Sequence, residues 1–252
     1  MRTGPPSTAS SFDRSTAKRV LTVFVVLAVA LPMMGSAVVA QDDTQDDETY
    51  TVRQGDECVT LEPYTGDESA KEFYDYRTPF EDNEYTNATG ASYSSEGTTE
   101  VQTSNSSMLF LYEDARGTLS LVFVHGANKT SSGSGSTTFN ITGLSEDGNW
   151  TVKDDQYDGA RSYDNWTHTE EYHLVNWTWD ERRTDGGVYT GLGDDVEITI
   201  EAAFNEEAGL YGEHYDGTVE NWTALSGTGS DLERTELNLS EPVTISSEPC
   251  GE

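Results

Sequence analysis

The sequence predicts an all-β fold: an antiparallel β-sandwich, immunoglobulin-like or jelly-roll-like, with one short helix. Three observations predict it. Apolar and polar residues alternate with a period of two over many short stretches. The plainest is 196–203, where Val196, Ile198, Ile200 and Ala202 point one way and Glu197, Thr199 and Glu201 the other. Gly, Asn and Asp punctuate those stretches, as turn residues do. Five Trp, 13 Tyr and 8 Phe supply bulk for a core, which separates the chain from an acidic disordered polymer.

Residues 1–40 read as a signal peptide. Arg14, Lys18 and Arg19 precede the apolar run 20–31, and Val38 and Ala40 stand at the minus-three and minus-one places of a cleavage site after Ala40. The rival reading is a retained N-terminal anchor, because 20–39 approaches the roughly 20 residues a bilayer requires. Either way the basic end stays inside and the acidic end goes out. Residues 41–49 form an acidic linker with nothing to bury, and residues 50–252 form a single sandwich domain.

Within that domain, strands are expected at 50–53 and 59–62. A helix over 68–76 follows, with Thr65 as N-cap, Glu68 as the reciprocal cap and Pro79 as the stop. The runs MLFLY (108–112) and LSLVFVH (119–125), joined by a turn at 113–117, predict a central hairpin. Further strands are expected at 137–142, 150–153, 172–179, 188–190, 196–203, 219–224, 235–238 and 243–246. Cys58 and Cys250 lie near the two ends of the domain and should pair outside the cell, fastening the first strand to the last. Neither a CxxC spacing nor a nearby His favours a redox or metal pair instead.

Nine of the eleven asparagines open an N-x-[ST] sequon: Asn87, Asn105, Asn128, Asn140, Asn149, Asn165, Asn176, Asn221 and Asn238. Ser and Thr fill 47 of positions 41–252, so chance alone would give two or three. The excess points to an exported, N-glycosylated surface. In four of these sequons the middle residue is Trp; on a strand it faces away from the sugar-bearing Asn, so the ring should point inward.

Cleavage after Ala40 leaves 10 Lys and Arg against 45 Asp and Glu. Such a surface repels nucleic acid and anionic lipid. In molar salt the Debye length shrinks to about 3 Å and the self-repulsion almost vanishes, so the balance suits a halophilic, archaeal setting.

Candidate chemistry is sparse. LVFVHGA places His125 after a strand, but no G-x-S-x-G elbow accompanies it, so His125 reads as a strand-end residue. His168 and His173 are five apart, where a zinc protease helix needs four, and on one strand they would take opposite faces; His214 stands alone. The most site-like acidic stretch is DDQYDGARSYD. Asp154, Gln156, Asp158 and Gly159 match four EF-hand places, but Asn165 stands where the bidentate Glu belongs. A looser calcium site on Asp154, Asp155 and Asp158, with Asp164 near, competes with a plain acidic loop. Asp185 with Asp194 and Asp195 forms a second such group. A glycosidase carboxylate pair carries no weight among so many acids.

The expectation is thus a secreted or cell-surface structural, adhesive or binding protein rather than an enzyme, with no cofactor apart from calcium at that acidic stretch. Its partner would be a cell-surface or extracellular protein or polysaccharide, with membrane contact only through an uncleaved N-terminal segment. A carbohydrate-binding module using exposed aromatics is the second reading, and a secreted hydrolase the third.

Overall fold

The computed structural model describes residues 49–77, 93–128, 133–156, 164–206 and 217–251. Residues 1–40, read above as a signal peptide, nearly all of 41–49, Pro79, Asn87, Asp158, Gly159 and His214 lie outside the described residues.

Two seven-stranded sheets pack face to face, as the alternating patterns require. The first runs in the order β10 (Asn165–His168), β11 (His173–Trp179), β8 (Gly135–Thr142), β13 (Glu197–Phe204), β16 (Val243–Ser246), β1 (Tyr50–Gln54) and β2 (Glu57–Leu61), all antiparallel. The second runs β15 (Glu233–Leu237), β14 (Asn221–Ser226), β6 (Ser106–Asp114), β7 (Leu119–Gly126), β12 (Thr184–Thr190) and β9 (Asn149–Lys153). Strand β14 pairs with the start of β6 and β3 (Tyr64–Gly66) with its end, both in parallel. Those two pairings are the exceptions to an otherwise antiparallel sandwich, beside which β4 (Tyr76–Arg77) and β5 (Ser94–Ser95) form a separate antiparallel ribbon. The expected central hairpin is β6 and β7, in register from Ser107 opposite His125 to Glu113 opposite Leu119.

Between the sheets lies the main core. Val52, Phe139, Ile141, Val175, Trp177, Ile198, Ile200 and Ile245 of the first sheet meet Leu109, Leu111, Leu121, Phe123, Tyr189 and Trp222 of the second. The continuous apolar runs of β6 and β7 have a separate cause: this sheet is buried on both faces. Met108, Phe110, Val122, Val124 and Val188 form a second core on its far side beneath Ala70, Tyr74 and Val101.

Helix α1 (Ala70–Tyr74) helps to cover that second core. It is shorter than expected and starts two residues later. Ser69, not Thr65, is the N-cap; its hydroxyl accepts from the Glu72 N–H while the Glu72 carboxylate accepts from the Ser69 N–H. Thr65 instead belongs to β3, opposite Glu113.

Cys58 and Cys250 form a disulfide. It ties edge strand β2 to the segment after β16, with β1 paired to both strands between them.

Candidate functional site

Sequon asparagines that open strands are exposed: Asn149, Asn165 and Asn221, together with Asn238 after β15. The Trp following three strand asparagines turns inward, with Trp166 9%, Trp177 0% and Trp222 1% exposed. Trp179 is also buried, and Trp150 partly so. Four of the five indoles therefore show no open face for a sugar.

Asn105, Asn140 and Asn176 are half-buried. The Asn176 amide donates to Thr138 Oγ1 at 2.7 Å, and that of Asn140 to Glu201 Oε2 at 3.2 Å. Asn128 differs. It is 5% exposed, its backbone N–H donating to Gln102 Oε1 and its side-chain amide to Glu96 Oε1, so a glycan there could be added only before the fold closes.

His125 stands next to the end of β7, as expected, and is wholly buried. Ser107 Oγ lies 2.9 Å from its Nδ1, and its ring stacks on Trp179 at 5.3 Å. The row across the second sheet continues to Asp185, the Cα partner of His125. Ser, His and Asp thus align by register, but burial closes them to any substrate.

His168 and His173 do not take opposite faces. Five residues are enough to turn a hairpin, so the two are Cα partners across β10 and β11, with ring centroids 5.0 Å apart. The Trp150 indole N–H donates to His173 Nδ1 at 3.0 Å. Burial, then nearby Lys153, pushes His173 below its ordinary range and His168 down to about 4, so both rings are neutral near pH 7.

The most unusual chemistry is a group of aspartates where two stretches meet that the sequence keeps apart. Asp154 follows β9, Asp164 precedes β10 and Asp185 sits in β12; they are 0%, 5% and 1% exposed. Asp185 thereby leaves Asp194 and Asp195, which are exposed on the next turn. In each of the three carboxylates one oxygen is held. The Tyr74 hydroxyl donates to Asp154 Oδ2 at 3.0 Å, the Thr178 N–H to Asp164 Oδ1 at 3.1 Å, and the Gly186 N–H to Asp185 Oδ1 at 2.7 Å. The other oxygen of each, Asp154 Oδ1, Asp164 Oδ2 and Asp185 Oδ2, is buried without a hydrogen-bond donor.

Asp155, also buried, accepts from the Tyr76 hydroxyl at 2.6 Å. Among the charged neighbours, Asp185 acts most strongly on both Asp154 and Asp164. Burial first, then the neighbouring aspartates, pushes Asp154, Asp164 and Asp185 well above the usual carboxylate range, and burial does the same to the Tyr74 phenol.

Gly186 makes the arrangement possible. Its φ is 143°, and a Cβ there would stand 2.1 Å from the Phe123 carbonyl oxygen. Its own carbonyl accepts from the Trp177 indole at 2.9 Å, a bond that crosses from one sheet to the other.

No protein-family model, curated protein or solved structure matches the chain.

Proposed function

We propose that this protein is an exported, N-glycosylated β-sandwich of a salt-loving organism, with a structural or adhesive role at the cell surface or in the extracellular medium. The observation that carries this reading is the outer face of the first sheet. Asn165 and Asn176 are cross-strand partners, and Asn140 lies diagonally beside them on β8. Each shares that face with its own sequon Thr, while the intervening Trp166, Trp177 and Ile141 enter the core. Three acceptor sequons thus fall on the face away from the core, with Asn165 exposed and Asn140 and Asn176 half-buried. The disulfide also suits an oxidising compartment.

Intact-mass and glycopeptide analysis of protein from its native host tests the reading. A chain beginning at Gln41, with glycan at the exposed Asn149, Asn165, Asn221 and Asn238, is expected. An unmodified chain starting at Met1 in the cytosolic fraction would overturn it.

A further inference from the structure

Three carboxylates this deeply buried either keep a proton or meet a positive charge, because an isolated ionised carboxylate in an apolar interior is prohibitively costly. Among the described residues no Lys, Arg or His forms an ion pair with Asp154, Asp164 or Asp185. Burial and the neighbouring aspartates favour the protonated form, while the hydrogen-bond donors oppose them. Each carboxylate accepts a hydrogen bond from an N–H or O–H donor, and such bonds favour the ionised form. The donors also fix one oxygen of each group, leaving the second oxygen buried and unpartnered.

We propose that Asp154, Asp164 and Asp185 bind one hard divalent cation, calcium by preference, which ties the two sheets together. Asp164 enters from the first sheet, while Asp154 and Asp185 belong to the second. Ligands that are all oxygen select calcium or magnesium over zinc, which takes His and Cys. Calcium tolerates irregular geometry and completes its shell with water, whereas magnesium demands a near-ideal octahedron.

Among the described residues no three His, Cys, Asp or Glu groups already close on one point. Binding therefore requires the three unpartnered oxygens, Asp154 Oδ1, Asp164 Oδ2 and Asp185 Oδ2, to draw together around the ion. This differs from an EF-hand reading of residues 154–165, because Asp185 comes from a strand paired across the sheet. It is also independent of export.

Calcium chloride titration of the chelator-treated protein in molar KCl, followed by calorimetry and thermal melting, tests the proposal. One ion per chain is expected, bound strongly enough to survive the salt, with Tm higher by several degrees and returned by EGTA. Asp164→Asn and Asp185→Asn should each weaken binding by about 100-fold or more and abolish the calcium-dependent rise in Tm. Asp194→Asn, at an exposed position, should change neither. A wild-type protein whose heat signal and Tm ignore calcium overturns the site, and this measurement stands even if a variant fails to fold. Binding left intact in both variants overturns it too, marking diffuse surface association. A wild-type protein that ignores calcium, together with an Asp185→Asn protein that melts higher, would show a proton shared between Asp164 and Asp185 instead.

Discussion

His125 shows how much one residue's surroundings decide. In LVFVHGA it looks like a polar strand end, yet the second sheet pairs on both sides of β7 and the first sheet closes over it. Burial pushes its pKa down to about 3, far below the ordinary 6.5. The unfolded chain therefore takes up a proton that the folded chain refuses. Stability from this group is complete above pH 6.5 and is lost as pH falls toward 3, at roughly 1.4 kcal/mol per pH unit. In molar salt, urea denaturation between pH 7 and pH 4 should show His125→Gln losing less stability than wild type; equal slopes would contradict this. The aspartates teach the same lesson. Asp154, Asp155 and Asp164 stand in one visibly acidic stretch, but nothing in TDGG marks Asp185 as buried. The strand expected at 188–190 extends back to Thr184, because β12 pairs with β7 along its whole length.

At the scale of elements, alternation was a sufficient guide wherever one face is wet. Strand β13 was expected over 196–203 and is observed as Glu197–Phe204; β16 matches its expected 243–246. Strand β10 was missed because four residues beside a charged turn carry too short a pattern, and it exists by pairing with β11. The helix start was ambiguous for a physical reason. Both Thr65 with Glu68 and Ser69 with Glu72 satisfy the capping-box pattern, and the parallel pairing of Thr65 with β6 withdraws the first pair from competition. Ser69→Ala should then cost about 1 kcal/mol in chemical denaturation, while Thr65→Ala leaves the helix cap intact. A larger loss at Thr65 than at Ser69 would place the cap wrongly.

For the whole molecule, the bridge between Cys58 and Cys250 spans a sequence separation of 192. Loop-closure entropy makes it worth about 5 kcal/mol, less any native strain. Cys58→Ser with Cys250→Ser should lower unfolding free energy by an amount of that order, and wild type under reductant should match the double variant. Unchanged stability in both would show that β1, β2 and β16 hold together by pairing alone. The amino-acid sequence by itself determined the all-β class, most strand positions, the inward turn of the sequon tryptophans and the cysteine partnership. These follow from local periodicity and from a count of two thiols. Only the tertiary structure decided which acids share a buried centre, that His168 faces His173, that Asn128 is enclosed, and that one sheet is covered on both sides. Those facts depend on strand register between residues tens of positions apart, and register is set by the closing of the whole core rather than by any short stretch of chain.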